Sequence, residues 1–158
     1  MSQLIDLIKH EHEHLSRFFT DLNARFYEAE TGVIDSTFLE SAREELELGV
    51  EELLHHFDQE EAVLFAEVVA RFPVENDNVA KLTRMHEFIC DQTKDLQIIL
   101  ESNPDELQKK VSDVHDIVST IRGALRTHAK YENAFFLRIF NDLEPTEVEW
   151  FLAELAKI

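Results

Sequence analysis

Glycine and proline are scarce, three of each in 158 residues. A chain so poor in turn residues has few places to reverse sharply, and no segment shows the sustained alternation of a strand. A single cysteine, Cys90, excludes an internal disulfide and fits a reducing compartment. No stretch reaches the roughly 18 consecutive apolar residues of a membrane span. The N-terminus, MSQLIDLIKHEHEH, is charged where a signal peptide would be apolar. A cytoplasmic location is expected from these features. Basic residues are also few. Lys and Arg number 15 against 33 Asp and Glu, for a net charge of −18. That balance argues against a nucleic-acid or anionic-membrane partner. It suits a protein that attracts cations, although a solvated acidic surface is the plainer reading.

What is present points to helix. Hydrophobic residues make up 44% of the chain, enough for a real core, and Leu, Ala, Glu and Phe are plentiful. The length suits one domain spanning 1–158. Ser2 can cap a first helix running to about Ala29. Asp35 or Ser36 can cap a second, which stops before Pro73. Asn76 to Asn78 offer caps for a third, ending near Ser102. Asn103 caps a fourth with Pro104 at its first position, and this helix reaches about Asp142. Thr146 can cap a short fifth helix. Four long helices with short connections predict an all-α, up-down-up-down antiparallel four-helix bundle with a short C-terminal fifth helix.

The apolar stripes contain histidines. The first stripe runs Leu4, Ile8, His12, Leu15, Phe19, Leu22, Phe26. The second runs Ala42, Leu46, Gly49, Leu53, His56, Glu60, Leu64, Val68. The third runs Val79, Leu82, His86, Ile89, Thr93, Leu96, Leu100, and the fourth Val114, Val118, Ile121, Leu125, His128, Glu132, Phe135, Ile139. Each long helix thus has one histidine where an apolar residue belongs. Two of them add a glutamate at i+4, beside the imidazole on the same face. At about 1.5 Å per residue, His12, His56, Glu60, His86, His128 and Glu132 fall in one layer, roughly 15 to 24 Å from one end of the bundle.

A lone histidine on an apolar stripe is ordinarily a satisfied core residue. Two His-Glu pairs at matching depth are harder to accommodate. Buried carboxylates without partners are costly and repel one another. One or two divalent cations would resolve this. Imidazole and carboxylate donors suit iron, manganese or zinc, and two carboxylates with four imidazoles would suit a pair. His10, His14, His55 and His115 read as exposed or flanking. Gly49 and Gly123 read as packing or tolerance positions. A ferritin-like site would need Glu-x-x-His on two helices. Glu52 and His55 fit that spacing, but Leu125 stands three residues before His128.

The combination of His12, His56-FDQ-Glu60, His86 and His128-AKY-Glu132 resembles the hemerythrin-like HHE cation-binding family, as does the phrase HFDQEEAVLF. The resemblance covers essentially the whole chain. It implies two non-haem irons bridged by Glu60 and Glu132, with an open position for dioxygen, nitric oxide or peroxide. The chain departs from the oxygen carriers, which have five histidines: the third helix offers only His86, and the fourth has HxxxE rather than HxxxxD. This places it with the four-histidine, two-glutamate branch. Tyr131, Glu61, His55 and Cys90 are the nearest candidates for a further ligand, and the more open site suits redox chemistry, iron exchange or sensing. The expected partner is a small diatomic or peroxide. Alternatives are an iron donor or store linked with iron–sulfur centre repair, and a bundle whose metal, zinc or manganese included, is structural. The state is expected to be monomer or homodimer, with Trp150 and Phe151 capping the bundle end or meeting a second copy.

Overall fold

The computed structural model describes residues 2–30 and 32–157, and the side chains of residues 2–5, 7, 8, 11, 29, 30 and 155 lie outside the described residues. The expected Ser2 cap and the Leu4 and Ile8 positions of the first stripe fall there. The helices are α1 (Ser2–Glu30), α2 (Ser36–Gln59), α3 (Ala66–Arg71), α4 (Asn76–Leu100), α5 (Pro104–Lys109), α6 (Val111–Phe140) and α7 (Pro145–Leu155). α1 packs on α2 and α6, and α4 packs on the same two, so the long helices close a ring. The four-helix bundle expected from the stripes is the observed fold. Among the described residues, no helix is long and apolar enough to cross a membrane.

Two expected helices are interrupted. The second passes through a π-helical turn, Glu60–Phe65, before continuing as α3. The fourth breaks after its first turns, at Lys110, between α5 and α6. Asp35 caps α2 by accepting from the Phe38 amide at 2.8 Å, and Asn103 caps α5 by accepting from Glu106 at 2.9 Å. Two expected caps lie elsewhere. A 3₁₀ turn, Pro73–Glu75, leads directly into α4, so Asn76 is already helical. The Glu75 carboxylate instead accepts from Asn78 and Arg138. At α7, Pro145 takes the first helical position. The cap is therefore Glu144, in a reciprocal box with Glu147, rather than Thr146.

The core comes in two parts. Leu15, Phe19, Leu53, Phe57, Ile89 and Leu125 belong to the larger. Leu64, Phe65, Val68, Leu82, Phe135 and Phe136 belong to the smaller. α7 closes the smaller core: Phe151 is fully buried against Phe140, with ring centroids 5.4 Å apart. Gly49 is a packing position, because the Phe18 ring occupies the space its Cβ would take. At Gly123 a Cβ would meet nothing, so that position is one of tolerance.

Candidate metal centre

The two apolar cores meet at a polar layer. His12 comes from α1, His56 from α2, Glu60 from the π turn, His86 from α4, and His128 and Glu132 from α6. All six are buried. Along α2 and its π turn, α4 and α6 the layer separates residues of one core from residues of the other, which is why the apolar stripes carried these polar side chains. His10, His14 and His55 are exposed, and His14 pairs with Glu52 at 3.0 Å. His115 is half-buried and bonded to Asn23 at 3.0 Å, away from the layer.

Two helical i,i+4 pairs anchor the geometry. His56 Nε2 lies 2.6 Å from Glu60 Oε1, and His128 Nε2 lies 2.7 Å from Glu132 Oε2. The Glu60 oxygens face opposite ways. Oε1 approaches His56, and His12 Nε2 at 3.7 Å. Oε2 approaches His86 Nε2 at 3.0 Å and His128 Nε2 at 3.9 Å. Glu132 Oε2 lies between His128 and His12, the latter at 3.9 Å. Donor atoms of His12, Glu60, His128 and Glu132 all lie within 4.8 Å of one another. His56 and His86 stand outside this tightest group and touch it through Glu60.

Close approach here is not well-aligned hydrogen bonding. Among the described residues, neither oxygen of Glu60 or Glu132 accepts a hydrogen bond of good angle, and neither ring nitrogen of His12 has a hydrogen-bond partner. Buried polar atoms are ordinarily satisfied. Buried nitrogen and oxygen atoms that converge on a shared space in poor hydrogen-bonding geometry fit a cation, and the donor set fits iron, manganese or zinc.

The electrostatics agree. Burial alone would raise the Glu60 carboxyl, but the charge of His56 and contacts with His12, His56 and His86 hold it well below the usual carboxylate range. Burial likewise works against a charged His128, but the Glu132 carboxylate, and more distantly Glu60, raise that imidazole above its ordinary value.

Sequence reasoning missed the role of Glu61. It entered only as a candidate further ligand, yet its Oε1 accepts from His86 Nδ1 at 2.7 Å. Adjacent carboxylates thus hold the two nitrogens of one ring. A carboxylate on Nδ1 favours the tautomer protonated there, whose Nε2 can serve as a ligand in the layer. The wider π turn begins at these residues, and such turns recur at functional sites. Phe57 stacks on the same ring at 3.8 Å, with planes 10° apart. The second glutamate of the HFDQEE phrase was the available signal. The other candidates lie apart: Tyr131 donates to Asn78 at 3.3 Å, His55 is exposed, and Cys90 packs against the larger core, where burial raises its thiol.

A model of the family described as the hemerythrin HHE cation-binding domain matches residues 3–140. No curated protein and no solved structure matches the chain.

Proposed function

The chain belongs to the hemerythrin HHE cation-binding domain family, and from that premise we propose that it is a non-haem di-iron protein that binds or reacts with dioxygen, nitric oxide or peroxide. His12, His56, Glu60, His86, His128 and Glu132 would hold the two ions. The family supports a cation in this bundle; the division of the donors supports two. The observation that carries the reading is the placement of the Glu60 oxygens, one toward His12 and His56, the other toward His86 and His128. A carboxylate so placed suits a bridge between two ions, and Glu132, between His128 and His12, suits a second.

Iron bound here would supply electrons and an open coordination position. The chain's own residues do the rest. Glu60 and Glu132 balance positive charge in a layer from which water is nearly excluded. Glu61 and Phe57 fix the plane and tautomer of His86. Phe65, 5.6 Å from the same ring, adds an apolar wall on the side of the smaller core. Few protein donors shared between two ions leave coordination positions for a small guest, which favours redox chemistry or sensing.

The test is to purify protein from iron-supplemented cells, measure metal per chain by plasma mass spectrometry, and record optical spectra with and without dioxygen and nitric oxide. Two irons per chain, with charge-transfer bands that respond to a gas, are expected. One zinc per chain with no spectral response would sink the di-iron reading. Two irons lost readily to a chelator would make the protein an iron donor or store instead.

A further inference from the structure

A groove between α1 and α6 reaches the polar layer from outside. Its cavity is about 340 Å³, and His12 forms part of its wall. His12 is 6% exposed, and neither of its ring nitrogens has a hydrogen-bond partner among the described residues. Asn133, next to Glu132 in α6, also lines the groove, and its Oδ1 is likewise unpartnered.

The charge on this groove is unlike the rest of the chain. Acidic residues outnumber basic ones 33 to 15 overall. On the groove the balance reverses: Lys9, Arg126 and Lys130 line it, against Glu13. Among the described residues none of these three cations is paired with a carboxylate. A neutral diatomic gains nothing from them. An anion approaching a molecule of net charge −18 is repelled almost everywhere, and a cationic channel with low-dielectric walls reverses that locally.

We infer that this groove is the entrance for a small monovalent anion, drawn by Lys9, Arg126 and Lys130 to the His12 edge of the layer. The inference rests on the metal-centre reading above and adds a small anion to the ligands that the centre meets. The groove has room for a two- or three-atom anion, and the Asn133 amide can turn either end toward it.

Azide is the probe, and Arg126→Glu with Lys130→Glu is the variant. Both side chains are exposed on α6, so the fold should be retained; iron content and circular dichroism check this. Stopped-flow mixing of the iron-loaded protein with azide at low salt should be about tenfold slower in the variant. The wild-type rate should fall with added salt, and nitric oxide should bind both proteins equally fast. An azide rate changed by less than about twofold, or azide and nitric oxide slowed alike, overturns the inference. Titrating metal-free protein with azide, followed by the amide resonances of Ala129 and Asn133, reads the groove without metal. Saturable shifts in wild type that vanish in the variant support the groove even where loaded protein binds no azide, and that failure would fall on the metal reading. Shifts absent from both proteins overturn the groove itself.

Discussion

Substituting Glu132→Gln separates a ligand from a structural residue, because the two roles predict different results with and without metal. Glu132 is fully buried, 2.7 Å from His128. The amide keeps its volume and can still pair with the ring, but carries no charge. In the metal-free protein His128 would then give up the proton that Glu132 helps it hold, and one of two neighbouring buried carboxylates would be gone. These changes oppose each other, so metal-free stability should move by no more than about 1 kcal/mol. In a chain of 158 residues that is about 2–4 °C in Tm. The metal-loaded comparison is far larger. Free metal at about 100 times its Kd stabilises by about 2.7 kcal/mol, which raises Tm by roughly 5–11 °C. Outer partners of a metal are worth about 10- to 100-fold in affinity. A direct bridging donor is worth more, and a loss of about 1000-fold is about 4 kcal/mol. That erases the increment at the same metal concentration. Anaerobic scanning calorimetry with and without iron(II) measures both quantities. An undiminished metal increment in the variant would refute the ligand role. A metal-free Tm lower by more than about 8 °C would make Glu132 a structural residue.

Three further outcomes are expected. Glu61→Gln should fold normally but lose about 10- to 100-fold in metal affinity, measured by competition with a chelator, because His86 would lose the group that fixes its tautomer. Leu64→Ala, which empties a fully buried position beside the layer, should cost about 2–5 kcal/mol and lower the urea midpoint without changing the metal stoichiometry. Metal-free stability should depend on pH in a definite sense. Glu60 is held low, so its contribution is present above its ordinary value of 4.5 and is lost as acid protonates it in the folded state. His128 is raised, so its contribution is full below 6.5 and is lost as pH rises through its folded value. Stability without metal should therefore peak between about 4.5 and 6.5. If His128 is a ligand, metal uptake below its raised folded value should release its proton, which a pH-stat will register as acid released on loading.

The legible part of this molecule was its contradictions. His12, His56, His86 and His128 interrupt otherwise apolar stripes, and burying an imidazole in an apolar position has a cost that sequence alone exposes. The recurrence of Glu four residues on tied two helices to one level, and the structure gathers all six side chains there. Caps were legible where an Asx side chain stood just before a helical start, as at Asp35 and Asn103. They were misplaced where proline chemistry set the boundary, at Glu75 and Glu144. The π turn left no trace, since Glu60–Phe65 contains neither glycine nor proline and its apolar spacing mimics an α-helix. Glu61 was hard to assign for a related reason. It is half-exposed and reads as a surface acid until the position of α4 places His86 against it.

The polar layer also divides the bundle thermodynamically. It separates a large apolar core from a smaller one closed by α7. The layer therefore bears on whether they melt together. Were a cation held by these donors, all four long helices would be tied into one layer, and unfolding either half would mean breaking the same bonds. Without it the junction is two carboxylates balanced by imidazoles, and the smaller core can loosen while the larger persists. Metal should therefore set the cooperativity of unfolding as well as its midpoint. The loaded protein should show a calorimetric enthalpy equal to its van't Hoff enthalpy. The stripped protein should depart from that equality, with amide protons near Phe140 and Phe151 exchanging ahead of those near Leu53 and Ile121.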